Sequence, residues 1–94
     1  MLVETKFQAG QVINLKLISG DEVVGELVNS DSNGFTLKKP CVVITSTEGI
    51  GLIQAMFGLD PDKENLYYKD SHVITSCTTH EPMRDHYFKV TAAE

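Results

Sequence analysis

Residue types that bind metals occur in two groups in this 94-residue sequence, and neither group has the complete spacing of a metal site. Cys77-x-x-His80, with His86 further along the chain, has the form of one half of a zinc site and lacks the second ligand pair. The alternating acidic residues of the segment 60–64 lack the glycine and the closing glutamate of a calcium loop. We therefore interpret the first group as a buried thiol with two surface histidines, and the second as part of a solvated loop.

No residue has the sequence context of a catalytic nucleophile. The serines do not occur in a G-x-S-x-G motif, and His72 belongs to no nucleophile motif. The segment Gly49-Ile50-Gly51 lacks the third glycine and the following helix of a phosphate-binding loop. We therefore expect a protein that is not an enzyme and that needs no metal or organic cofactor.

The charge balance of the chain limits the kinds of molecule that it can bind. The chain has 8 Lys and Arg residues against 13 Asp and Glu residues, a formal net charge of -5, which excludes a strongly basic DNA-coating protein. Arg84 is the only arginine, so few planar groups are available to bind phosphate. Lys38 and Lys39 are the only adjacent cations, and they are either a small phosphate-contacting patch or two solvated lysines.

Length, composition and cysteine content are typical of a single cytoplasmic domain spanning residues 1–94. The chain begins without a basic segment followed by an apolar one, and the apolar stretch 49–59 is too short to cross a bilayer. We therefore expect neither a secretory signal nor a membrane contact. Cys41 and Cys77 do not make a disulfide framework, and we expect reduced thiols, with a single disulfide as the alternative.

Alternation of apolar and polar residues predicts an antiparallel β protein. In the first predicted strand, 12–17, Ile13, Leu15 and Leu17 share one face, and Asn14 lies on the other. The remaining predicted strands are 22–29, 35–45, 50–57, 66–69 and 73–77.

Special residues predict irregularities within this sheet. Gly25 in the middle of the second strand predicts a bend or a close backbone approach. Pro40 cannot donate a ladder hydrogen bond, so it predicts a bulge or an edge. The Asn33-Gly34 pair predicts a turn that tolerates positive φ.

The pattern changes near the end of the chain. Pro82 suits the first turn of a helix, and Met83, Tyr87 and Val90 have helical spacing, so we predict a helix over 82–92. Together, these predicted strands and the helix indicate a mostly β fold, a small and strongly bent antiparallel barrel with a short C-terminal helix.

Two segments of the chain have recognisable motifs. The first contains an apolar strand before a glycine at 15–20, the Gly-x-hydrophobic segment 25–27 and Asp31. The second is the segment 68–76. They resemble the first and second motifs of the Sm/LSm family, which includes the bacterial RNA chaperone Hfq, and the second has two inserted residues, Asp70 and Ser71. The segments 37–40 and 49–53 and the C-terminal helix are most similar to short phage-encoded LSm-like proteins.

The resemblance covers residues 11–78 and implies an SH3-like barrel that assembles into a homo-oligomeric ring of about five to seven subunits. It further implies a bacterial or phage-infected host cell. The apolar strand 50–57 agrees with assembly, because an unguarded edge strand is an aggregation hazard unless it is paired. The alternative is that this strand packs internally.

In the Sm/LSm family, single-stranded RNA binds to the loop after the bent strand and the loop before the last strand. These loops are 31–35 and 69–72 here, and the resemblance implies as candidate RNA-binding residues Asp31, Asn33, Phe35, Lys69 and His72. The sequence departs from the family where the base-reading Asn is replaced by Phe35 and where Arg-Gly is replaced by Lys69-Asp70. Phe35 either stacks on a base or belongs to the core.

Two other functions remain open from the sequence. The acidic charge and Asp70 also suit a protein-interaction ring on the same fold that does not bind RNA. A monomeric SH3-like barrel that binds peptides is less well supported, because the chain has no Trp for an aromatic groove. Tyr67 and Tyr68 are adjacent, so one should face the core and the other solvent or a neighbouring subunit.

Overall fold

The computed structural model describes residues 7–55 and 65–92, which form an antiparallel six-stranded sheet and one C-terminal helix. The mostly β prediction with a terminal helix is therefore confirmed. The predicted strand end at 56–57 and the acidic segment 60–64 lie outside the described residues. The elements are β1 (Val12–Leu17), β2 (Glu22–Asp31), β3 (Gly34–Ser46), β4 (Gly49–Gln54), β5 (Asn65–Lys69), a 3-10 turn (Asp70–His72), β6 (Val73–Thr78) and α1 (Glu81–Ala92).

The strand order is β4-β3-β2-β1-β6, and β5 also pairs with β3. β5 lies along the first part of β3, from Gly34 to Lys38, and β4 lies along its second part, from Cys41 to Ser46. Among the described residues β6 pairs only with β1, while β4 and β5 pair only with β3. The sheet is therefore open between these two edges.

Each face of the sheet has its own apolar cluster. The cluster on the first face contains Ile13, Leu15, Val23, Leu27 and Leu37. The cluster on the opposite face lies beneath α1. It contains Val12, Val24 and Cys41 of the sheet and Tyr87 of α1.

Asn14 lies on the face of β1 opposite Ile13 and Leu15, but it is buried rather than exposed to solvent. Its amide nitrogen donates to Glu22 Oε2 at 2.7 Å, and its amide oxygen accepts a short hydrogen bond from the Thr79 hydroxyl. The face that carries Asn14 is covered by α1 and the segment leading into it. A polar residue there is therefore satisfied by protein groups rather than by water.

A β-bulge interrupts the β2–β3 ladder where Pro40 predicts one. Val24 pairs with Cys41 and Glu26 pairs with Lys38, so Gly25 alone faces the two residues Lys39 and Pro40. Lys39 takes up the extra length with a φ of 49°. Because of the extra residue, the side chains of β3 that follow the bulge point to the opposite face of the sheet from the one that regular alternation would give them.

The close approach predicted at Gly25 is also present. A Cβ on Gly25 would lie 3.1 Å from Leu37 Cβ and 3.4 Å from the Lys38 carbonyl oxygen. Leu37, before the bulge, belongs to the first cluster, whereas Cys41, after it, belongs to the cluster beneath α1. The glycine lets the strands bend closely together at the point where the faces exchange.

The helix begins one residue earlier than predicted and ends as predicted. The His80 Nδ1 atom accepts the Met83 N–H at 3.4 Å and so satisfies one backbone donor of the first turn. In the part of the chain that is described, no helix is long and apolar enough to span a bilayer.

Candidate nucleic-acid interface

The turn between β2 and β3 is held by the Asp31 carboxylate. Its Oδ1 atom accepts the N–H of Asn33 at 2.7 Å and the N–H of Gly34 at 2.9 Å. These bonds, led by the one from Asn33, and the hydroxyl of Tyr67 hold the pKa of Asp31 below its ordinary value of 3.8. Asp31 therefore stays ionised and orders the turn.

Gly34 is required by space and not by positive φ. The left-handed residues of the described segments are Gly10, Gly20, Lys39 and Gly49, so the reason expected for the Asn-Gly pair does not apply. A Cβ on Gly34 would collide with the Tyr68 carbonyl oxygen and would lie 2.9 Å from the Tyr67 ring. β5 thus packs directly against this turn.

The turn after β5 is joined to the β2–β3 turn by the backbone. The Asp70 N–H donates to the Asn33 carbonyl at 2.6 Å. Next to this bond is an open pocket of about 490 Å³, lined by Ser32, Asn33, Tyr67, Lys69, Asp70 and Ser71. Two segments separated by more than thirty residues in sequence therefore form one surface.

Three of the five predicted site residues belong to this surface. Asn33 and Lys69 line the pocket, and Asp31 orders the turn beneath it. His72 does not line the pocket; its carbonyl accepts the N–H of Ile18 at 2.9 Å, at the β1–β2 turn.

Phe35 also does not line the pocket. It is half-buried against the first apolar cluster, and its ring centroid lies 6.4 Å from that of Phe7. Of the two alternatives for this residue, the packing favours the core.

Tyr67 is the aromatic residue of the pocket, and it is not among the predicted site residues. Tyr67 is 47% exposed, and its hydroxyl donates to Asp31 Oδ1 at 3.0 Å. Burial of part of the phenol, followed by the bond to Asp31 and the charges of Asp31 and Asp70, raises its pKa above 10.0. Tyr68 faces the first cluster, and burial raises its pKa to about 12. The adjacent tyrosines thus face opposite sides, as predicted, and Tyr67 is the exposed one.

The local charges suit a nucleobase better than a phosphate. Lys69 contributes one cation to the pocket, while Asp31 and Asp70 contribute two carboxylates on the same pair of turns. An exposed aromatic ring, an amide side chain and a single ammonium group are the elements needed to stack a base and to contact its edge.

Lys38 and Lys39 do not extend this surface. Lys38 is exposed, whereas Lys39 is half-buried and its ammonium donates to the Thr91 carbonyl of α1 at 3.4 Å. The two lysines therefore differ in exposure, because the bulge turns Lys39 toward the helix.

The potential zinc ligands are arranged differently from the interpretation made from sequence. Cys77, on β6, is exposed rather than buried, and His80 and His86 are exposed as expected. Cys41 lies in the core beneath α1 and is not disulfide-bonded to Cys77. Within residues 7–55 and 65–92, no three His, Cys, Asp or Glu side chains are grouped closely enough to hold a metal ion.

No protein-family model matches the sequence, and no curated protein matches it either.

Proposed function

We propose that this chain is an Sm-like barrel protein that assembles into a ring of about five to seven subunits and binds single-stranded RNA. The observation that carries the proposal is the hydrogen bond from Asp70 N–H to the Asn33 carbonyl. It brings together the two turns that correspond, through the sequence resemblance, to the RNA-binding loops of the Sm/LSm family.

The strand topology supports the assembly part of the proposal. β1, β2 and β3 are consecutive neighbours, β6 returns beside β1, and β4 and β5 together line the far edge of β3. Among the described strands the two open edges are β6 and the β4–β5 edge. Ile74 on β6 is 62% exposed, and Ile50 on β4 is also exposed. Pairing these edges between copies would close the sheet into a ring and cover the unpaired backbone groups.

The side chains of the pocket support a base-centred mode of binding. The Tyr67 ring provides a stacking surface, the Asn33 amide can exchange hydrogen bonds with a base edge, and Lys69 can contact one phosphate. Asp70 disfavours a second phosphate nearby. We therefore expect affinity to depend on stacking and to change only weakly with salt.

A binding titration tests this proposal. Fluorescently labelled oligo(U) and oligo(A) are added to the whole protein at low salt, and anisotropy is recorded for wild type and Tyr67→Leu. Loss of one stacked base predicts about a tenfold to hundredfold weaker affinity in Tyr67→Leu. Phe88→Leu is the matched control, because Phe88 is also an exposed aromatic but lies on α1.

Two outcomes contradict the proposal. One is that the wild-type protein retains neither oligonucleotide. The other is that Phe88→Leu weakens binding as much as Tyr67→Leu does, because the effect would then not belong to the pocket.

The alternative is a ring on the same fold that binds proteins. The carboxylates of Asp31 and Asp70 beside the pocket and the net charge of -5 favour it. This function predicts that captured host proteins are unaffected by ribonuclease and are lost when Asp70→Asn removes one carboxylate.

A further inference from the structure

The Tyr87 hydroxyl of α1 connects two strands at the β-bulge. It donates to the Lys38 carbonyl at 2.6 Å and accepts the Glu26 N–H at 3.2 Å. Tyr87 is only 1% exposed, so both bonds form in an environment from which water is excluded. Glu26 and Lys38 are the strand pair directly beside the bulge, on the side of the candidate pocket.

The strands beyond this pair lead to the two turns that line the pocket. We call residues 26–31, 34–38 and 65–69 the distal sheet. The β2–β3 part of the distal sheet ends at the turn held by Asp31, and its β5 part ends at Lys69. From Lys38 to Gly34 is four residues, or about 13 Å of strand. Tyr87 therefore bonds to the base of the element whose far end is the candidate site.

A second contact attaches α1 to the same place. Lys39, the left-handed residue of the bulge, donates through its ammonium to the Thr91 carbonyl at 3.4 Å. This carbonyl belongs to the last turn of the helix, where backbone acceptors have no partner within the helix and a cation is favourable. The helix thus contacts the bulge itself through Lys39 and the strand pair on its pocket side through Tyr87.

Bulges bend strands and change their twist, so groups that fix this bulge help to set the direction of the strands beyond it, together with a second register shift between Leu27 and Asn29. We propose that α1 regulates the candidate site by fixing the bulge through Tyr87, and that its release changes the position of the distal sheet. Tyr87 is in this sense a positioning residue, since it lies outside the pocket. The effect of the helix on the pocket turn is independent of any ligand, and its effect on RNA binding rests on the proposed function.

Hydrogen exchange of single amides tests the first part. Tyr87→Phe keeps the ring and removes the hydroxyl, and loss of a hydrogen bond predicts about fivefold faster exchange at Glu26. The proposal predicts acceleration at Asn33 and Gly34 as well, whose amides donate to Asp31 at the far end of the distal sheet.

Met83→Ala is the matched control, because Met83 packs against the same cluster beneath α1 and its substitution leaves the Tyr87 hydroxyl in place. The two variants are compared at equal global stability, adjusted with denaturant. Faster exchange at Asn33 and Gly34 in Tyr87→Phe but not in Met83→Ala supports the proposal. Acceleration limited to Glu26, or equal in both variants, overturns it.

The Cys41 thiol reports release of the helix directly. It is buried in the same cluster as Tyr87, whereas Cys77 is exposed, so a Cys77→Ser chain leaves Cys41 as the single thiol for a labelling reagent. Tyr87→Phe should label about fivefold faster if the hydroxyl holds the helix in place. Because coupling between two sites is reciprocal, saturating oligo(U) should change the labelling rate of the chain that keeps Tyr87.

The results separate the two proposals. An oligonucleotide that binds without changing Cys41 labelling overturns the regulatory coupling and leaves RNA binding intact. Absence of any binding refutes the proposed function, while the exchange rates at Asn33 and Gly34 still decide whether α1 acts on the turn.

Discussion

The Tyr67 hydroxyl and the Asp31 carboxylate lie 3.0 Å apart and join two segments that are distant in sequence. Asp31 already accepts two backbone N–H groups of its own turn, so the phenol is its third donor. The same bond holds the exposed ring of Tyr67 at the rim of the pocket. One carboxylate therefore orders the turn and orients the aromatic side chain that the proposed function uses.

Removal of the phenol should raise the pKa of Asp31. In Tyr67→Phe the pKa is expected to move part of the way back to 3.8, because the stronger contribution, the bond from Asn33 N–H, remains. The Asp31 carboxylate stabilises the folded state above pH 3.8, and this stabilisation is lost as the pH falls through the lower folded-state pKa. An NMR titration of the carboxyl carbon checks the shift, and an unchanged Asp31 pKa in Tyr67→Phe would show that the bond is absent in solution.

A methyl group at Gly34 should destabilise the fold. Gly34→Ala is expected to cost about 3 kcal/mol of unfolding free energy, because the added Cβ collides with backbone and with the Tyr67 ring. Gly51→Ala is the control, since its Cβ would make an ordinary contact with Ile44 at 3.5 Å and should change the stability by less than about 1 kcal/mol. Urea denaturation measures both values, and equal costs would contradict the close packing of β5 on the turn.

The buried amide of Asn14 should contribute to stability. Asn14→Ala leaves the Thr79 hydroxyl and the Glu22 carboxylate without this partner, and the expected cost is about 1–3 kcal/mol. Lys16→Ala changes an exposed residue on the same face and should stay within about 0.5 kcal/mol. Thermal unfolding compares the two, and a neutral Asn14→Ala would mean that the network is solvated.

Assembly should depend on the free edge of β6. The Thr79 N–H donates to the Val12 carbonyl, and alternation along an antiparallel strand then directs the Cys77 N–H toward β1 and the Ser76 N–H outward. Ser76→Pro removes this outward donor and should lower the mass in solution, while Ser76→Ala keeps it and should not.

Light scattering coupled to size exclusion measures the mass, and circular dichroism confirms that each variant is folded. The wild type should have a discrete mass that is a multiple of 10.4 kDa. A wild-type mass of one chain would refute assembly, and an unchanged mass in Ser76→Pro would exclude the β6 edge from the contact.

The elements that could be predicted from sequence are those specified by local patterns. Alternation located the strands, helical spacing located α1, and Pro40 located the bulge, because each follows from the geometry of a few consecutive residues. Gly25 belongs with them, since a glycine within a strand commonly marks a close approach.

The features that escaped prediction depend on which elements pack together. Asn14 is polar and lies on the face of β1 opposite Ile13 and Leu15, as alternation predicts, yet it is buried because α1 covers that face. Phe35 matches the position of a binding residue in the motif but packs on Phe7. Tyr67 becomes a site residue only because β5 lies beside the β2–β3 turn, a pairing that the adjacent tyrosines alone do not reveal.

Hydrogen–deuterium exchange of the wild-type protein with and without a bound single-stranded oligonucleotide tests whether the pocket is the RNA-binding site. We predict that RNA slows exchange in the segments 31–35 and 66–72, which contain the two turns of the pocket. We also predict that Tyr67→Leu abolishes this protection at the same oligonucleotide concentration. An oligonucleotide that binds and protects neither segment would contradict the assignment of the pocket as the RNA-binding site.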